Sequence, residues 1–174
     1  GASCPNAPAN TGGYELIGIE NNYGKNEYYY NTVNIVGTSG VGASNSYAYK
    51  YVNSGTEVLS RVFRNNIFSN TRSSTAGTAK HYAFSVSLNE AYGKFTSDYN
   101  YFYVSGTNGI LFDDFGTDRT SIADWTASSG KDTHSTGTGV ISPADPLFVA
   151  PNTCSCNLDI TDIASPIAGS GSTV

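Results

Sequence analysis

The chain has 174 residues, only 13 % of them charged, with a net charge of −5. That length fits one domain able to bury its own core; scattered Lys and Arg form no basic stripe for phosphates, arguing against nucleic acid, and no apolar run nears the roughly 18 residues of a bilayer span, arguing against membrane insertion. Nineteen Gly and thirteen Tyr, with abundant Ser, Thr and Asn, favour strands joined by tight turns over amphipathic helices, so an all-β protein is expected.

Residues 1–13, rich in Pro, Asn, Ala and Gly, read as an irregular N-terminal arm or cap. They lack a basic or apolar signal region, and with no Met anywhere the chain reads as a mature or excised segment of a longer precursor. Strand-like runs follow at Tyr14 to Glu20, Tyr28 to Val36, Tyr47 to Val52, Val58 to Phe68, His81 to Leu88, Phe95 to Val104 and Gly109 to Phe112, with Gly, Ser, Asn or Thr in almost every gap.

Three of these runs repeat one another. "YYNTVNI", "RNNIFSN" and "DYNYFYV" align on Asn31, Asn66 and Asn100, spaced 35 and 34 residues apart, and "YAY" from Tyr47 is offset from "HYAF" from His81 by the same step. A fixed period of this length, with an Asn near a bend and aromatic or branched residues after it, suits a coil of stacked rungs, each burying its inner face only against the next. The three Asn amides would then form a structural ladder, giving and taking hydrogen bonds with the copies above and below. Val33, Phe68 and Phe102 fall in one core column, with Ile35 and Val104 in a partial second one.

Beyond the strands, "TDRTSIADWTASSGK" carries a helical signal near residues 120–129. Thr120 can cap, Ile122 and Trp125 share a face, and Gly130 can end the turn. "ISPADPLFV" and "LDITDIASPI" supply a short buried strand and a last strand. One domain over residues 14–165 is therefore expected, followed by a flexible Gly/Ser tail at 166–174.

Cys4, Cys154 and Cys156 are candidates for a disulfide tying the two ends together. One of the three must stay free or pair elsewhere, and three reduced thiols are the plainer alternative.

Taken together, "YYYNTVNIVGT", "VFRNNIFSN", "FTSDYNYFYV", "DRTSIADWTASSGKDTHS" and "SPADPLFV", in that order over roughly residues 26–150, resemble the right-handed parallel β-helix repeats of large secreted or cell-surface bacterial proteins. The resemblance implies a β-helix of a few long rungs, an extracellular location and membership of a larger surface protein. Ser165-Pro166-Ile167-Ala168-Gly169 lacks the acid that such closing segments carry, and Cys154-Ser155-Cys156 is an atypical insertion. The family hosts lyases, hydrolases, adhesins and inert stalks, so no single activity follows.

Chemistry-bearing residues are few. Asp113, Asp114 and Asp118 ahead of Arg119 have three readings: solvation of a strand end with Asp118 favouring a helix dipole, weak Ca²⁺ binding, or an acid/base pair. Adjacent aspartates on a strand face opposite ways, which leaves only one to join Asp118. His81 and His134 lie 53 residues apart without ligand spacing, so no zinc site is expected. There is no G-x-S-x-G elbow, and "GTSGVGASN" lacks the Lys of a phosphate loop. Tyr28, Tyr30, Tyr101 and Tyr103 could line an outer face for glycans or a protein partner, or simply stack as cross-strand ladders. The expected function is a non-enzymatic structural or adhesive extracellular module that contacts copies of itself, other cell-surface proteins or glycans without a cofactor. The alternative is a β-helical polysaccharide lyase or hydrolase, or a carbohydrate-binding module.

Overall fold

A computed structural model describes residues 14–22, 24–40, 44–52, 60–86, 94–138, 146, 148–150 and 157–160. The expected arm and tail, and Cys4, Cys154 and Cys156, lie outside these. Among the described residues the protein is all-β with one short helix.

The strands recur in sets. The first comprises β1 (Leu16–Asn21), β2 (Glu27–Tyr29), β3 (Thr32–Ile35) and β4 (Thr38–Ser39), and the second β5 (Ser46–Tyr51), β6 (Arg61–Arg64), β7 (Ile67–Asn70) and β8 (Ser73–Ser74). The third holds β9 (His81–Val86), β10 (Phe95–Asp98) and β11 (Tyr101–Val104). The fourth replaces one strand with a helix: β12 (Gly109–Asp114), β13 (Thr117–Arg119), α1 (Ile122–Ser129) and β14 (Thr136–Thr138). A final pair, β15 (Phe148–Ala150) and β16 (Asn157–Ile160), is antiparallel.

Corresponding strands pair in parallel across sets, in the orders β1-β5-β9-β12, β2-β6-β10, β3-β7-β11-β14 and β4-β8. The exception is β13, which folds back antiparallel on β12.

Three expected strands, Tyr28 to Val36, Val58 to Phe68 and Phe95 to Val104, are each split in two. The split falls at Tyr30, Asn65 and Tyr99, whose φ angles of 56°, 58° and 57° are left-handed. A left-handed residue turns the chain sharply at a cost of roughly 1–2 kcal/mol for a residue with a Cβ, so something must hold each corner.

That something is the residue immediately after it. Asn31 Nδ2 donates to Asn66 Oδ1 at 2.9 Å, and Asn66 Nδ2 donates to Asn100 Oδ1 at 2.9 Å. The same carbonyls accept the backbone N–H of Asn31 and Asn66 at 3.0 Å, while the Nδ2 groups of Asn66 and Asn100 also donate to the carbonyls of Tyr28 and Phe63. Each amide thus satisfies backbone groups that the bend removes from the sheets.

Side-chain columns follow the register. Val33, Phe68 and Phe102 align, with Phe68 and Phe102 stacked at 5.9 Å. Tyr49, Phe84 and Phe112 form a second column, Tyr49 and Phe84 stacking at 4.8 Å. Between Ile35 and Val104 the register places Asn70, fully buried, which donates to the Tyr82 carbonyl and to Ser46 Oγ, so that column is not wholly apolar. Strands sandwiched in this way are buried on both faces, which explains the lack of clean alternation in "HYAFSV". Position 106 admits only glycine, because a Cβ there would lie 1.8 Å from the Arg72 carbonyl oxygen.

The helix closes the last set. Ser121, not Thr120, is its N-cap: Ser121 Oγ accepts the Asp124 N–H at 3.1 Å, one residue further into the chain, and Gly130 ends it with φ 68°. Trp125, fully buried, stacks on Phe112 at 4.8 Å and on Phe95 at 6.3 Å. Its indole N–H donates to Asp132 Oδ2 at 2.8 Å. Asp132 also accepts from Ser97, Ser135 and Asn100, and Asn100 N–H donates to Ser135 Oγ, so the amide ladder runs into a buried carboxylate. Burial pushes that carboxyl up, and the four hydrogen bonds oppose the push.

A second buried polar network surrounds His81. Ser46 Oγ meets its Nδ1 at 2.9 Å and Ser74 Oγ its Nε2 at 3.0 Å. Burial, reinforced by the Arg72 charge, pulls His81 down to about 4.

Two outcomes follow from these networks. Asn66→Ala strands the Tyr28 carbonyl and the Asn31 N–H and should cost about 3 kcal/mol by denaturant melts. Because His81 stays neutral in the fold while the unfolded chain protonates near its ordinary value, stability should fall as pH drops from about 6.5 to 4, by on the order of 3 kcal/mol. Thermal melts over that range should show the slope, and His81→Gln should remove much of it.

Candidate functional site

The tyrosines expected on an outer face go to different places. Tyr101 and Tyr103 are 2 % and 6 % exposed, too buried to touch a ligand. Tyr28 faces inward, stacked on Phe63 at 4.9 Å and edge-on to Tyr49, because its register partner is a core residue. Tyr30 alone of the four is open, 65 % exposed, because its left-handed backbone swings its side chain out at the corner.

The aspartates also separate. Asp113 and Asp118 are cross-strand neighbours on β12 and β13, whereas Asp114 is buried and accepts from Arg119 Nε at 2.9 Å and Ser128 Oγ at 2.8 Å. Asp113 accepts from Ser85 and from the Gly116 N–H, and Asp118 from Tyr82 and Lys80. Burial raises the Asp113 carboxyl, and the Asp118 charge adds to it, against the hydrogen bonds from Ser85 and Gly116. Strand alternation sends Asp114 to the face opposite Asp113, as adjacent aspartates on a strand require, so the three carboxylates do not converge. Among the described residues no group of three metal-ligating side chains assembles.

A different cluster surrounds the Tyr30 corner. One step along the repeat are Asn65, then Tyr99, then His134, which precedes Ser135 as Tyr99 precedes Asn100. Tyr30 N–H donates to the Arg64 carbonyl and Asn65 N–H to the Tyr99 carbonyl. Tyr99 and His134 stack at 5.0 Å with an interplanar angle of 7°. With neighbouring strands about 4.8 Å apart, these four residues form a ridge roughly 14 Å long.

Beside the ridge lies an open groove of about 210 Å³, lined by Arg64, Thr96, Asp98, Lys131 and Thr133 among others. Arg64 sits over the Tyr99 ring at 5.6 Å, and Lys131 Nζ lies 5.6 Å from the Phe95 ring centroid. Asp98 Oδ1 accepts the backbone N–H groups of Tyr99 and His134 at 3.1 and 2.8 Å, and its Oδ2 meets His134 Nδ1 at 2.8 Å. Burial pushes the Asp98 carboxyl up, but the hydrogen bonds from His134 and Tyr99 outweigh it and hold the group below the usual range.

Sequence reasoning missed this groove because its parts come from β6, β10 and the segment after α1. The signal was available in the period: 35 residues on from Asn100 stands Ser135, which puts His134 beside Tyr99.

Comparison with known proteins finds no matching family model, curated protein or solved structure. Among the described residues no helix is long and apolar enough to cross a membrane.

Because the bonds from His134 and Tyr99 favour the charged form of Asp98 in the fold, Asp98→Asn should cost on the order of 1 kcal/mol at pH 7, after solvent screening. The cost should vanish as pH falls through the carboxyl's depressed value, where wild type is protonated too. Urea melts of both proteins from pH 7 to pH 2 measure the convergence.

Proposed function

We propose that this chain is a non-enzymatic extracellular module, a right-handed parallel β-helix of the kind repeated in large secreted or cell-surface bacterial proteins. It acts as a structural or adhesive element, engaging copies of itself, other surface proteins or glycans. The observation that carries the reading is the parallel pairing of strands 34 or 35 residues apart in separate sheets joined by asparagine corners. A right-handed coil is the sense that parallel crossover connections take in nearly all cases.

The two ends differ in a way that favours assembly. At one end β13 folds back as a hairpin and Trp125 covers the aromatic columns. At the other, β1, β2 and β3 each pair on one side only among the described residues, as β10 and β14 do at the helix end. Strand edges of this kind accept a further strand by backbone hydrogen bonding. A second copy, or the neighbouring module of a larger surface protein, would continue the sheets there.

Sedimentation velocity over a wide concentration range should therefore show reversible association. Ile17→Lys, which puts a charge on edge strand β1, should weaken it at least tenfold while the circular dichroism spectrum stays unchanged. A monomer at every concentration would remove self-association from the reading.

A further inference from the structure

The groove beside the corner ridge has an unusual hydrogen-bonding balance. Both carboxylates within it are already committed. The oxygens of Asp98 are taken by His134 and Tyr99, and those of Asp132 by Ser97, Asn100, Ser135 and Trp125. Asp132 is in addition 2 % exposed, beyond the reach of a ligand.

What the groove has left to offer are donors. Arg64 and Lys131 line it, and among the described residues neither forms an ion pair with a carboxylate. The exposed hydroxyls of Thr96 and Thr133 stand beside them. The Arg64 guanidinium is held over the Tyr99 ring, which orients its planar fork and lowers the entropy lost when it grips a second partner.

A site rich in donors and spent in acceptors selects an acceptor-rich ligand. A carboxylate matches the guanidinium fork in shape and the ammonium in charge. The volume of about 210 Å³ accommodates one sugar ring rather than a peptide segment. The ridge continues past the groove to the exposed ring of Tyr30, a flat apolar face with a polar tip on which a further sugar can stack.

We propose that this groove binds an acidic saccharide, with the carboxylate of one sugar residue between Arg64 and Lys131 and the next residues running along the ridge toward Tyr30. The proposal deepens the adhesive reading by naming the ligand class, and it rests on that reading only for the glycan setting, not on self-association.

The test is calorimetric titration of the full chain with a glucuronate tetramer, its methyl-esterified form and tetraglutamate. The free acid should bind saturably and weaken with added salt, and the ester and the peptide should each bind at least tenfold more weakly. Arg64→Gln and Lys131→Gln should each reduce affinity about tenfold or more. Arg64→Lys, which keeps the charge and loses the fork, should fall between. Equal binding of ester and acid, equal binding of tetraglutamate, unchanged affinity in both Gln variants, or no saturable binding at millimolar concentration would each overturn the proposal. Sedimentation of the same samples keeps the two readings apart: association without acid binding sinks only the groove, and Ile17→Lys should bind the acid as wild type does.

Discussion

The interaction on which the architecture depends is the hydrogen bond from one corner asparagine to the next. Each corner requires a left-handed residue, and two of the three are tyrosines, a residue type with no preference for that conformation. The amide that follows supplies a carbonyl to the backbone and side-chain N–H groups of its neighbour in one direction and donates to it in the other. Without that exchange the bend would bury unsatisfied backbone groups at each corner, a loss comparable to the cost of the bend itself.

Once the corners are fixed, the aromatic columns have no freedom of register. Slipping one strand by a residue would break the amide contacts and also turn Phe68 or Phe102 outward. Polar and apolar stacking therefore support one another. They meet at one place, where Trp125 closes the aromatic column and donates to the carboxylate that receives the amide ladder. Asp132 is for that reason the shared end of both systems, held by four donors in a setting that otherwise disfavours its charge.

The period was legible in the sequence because the features that repeat are chemically distinctive. Asn31, Asn66 and Asn100 each present an amide that donates and accepts at the short reach of one methylene, so the same residue type recurs at the period and stands out in the sequence. The inward column of Val33, Phe68 and Phe102 followed directly from it. The corners themselves were not legible, since Tyr30 and Tyr99 carry no turn chemistry and read as strand. The same ambiguity misplaced the tyrosines: in strands packed on both faces, alternation no longer tells inside from outside, and Tyr28, Tyr101 and Tyr103 are all covered. The groove was hidden for a different reason. Its cations, Arg64 and Lys131, are isolated in sequence and brought together only by the stacking of β6 on β10 and the chain reversal after α1.

The amide column also has a sense. Every Nδ2 in it donates toward Asp132, so at the Asn31 end the ladder presents a carbonyl, and at the far end it is closed by a carboxylate. The successive sets of strands are consequently not interchangeable parts, despite their shared spacing. A rearrangement that moved the last set to the front would bring an anion against the Asn31 carbonyl and take from Asn100 the carboxylate it donates to, so the order of repeats along the chain is dictated by the direction of its hydrogen bonds.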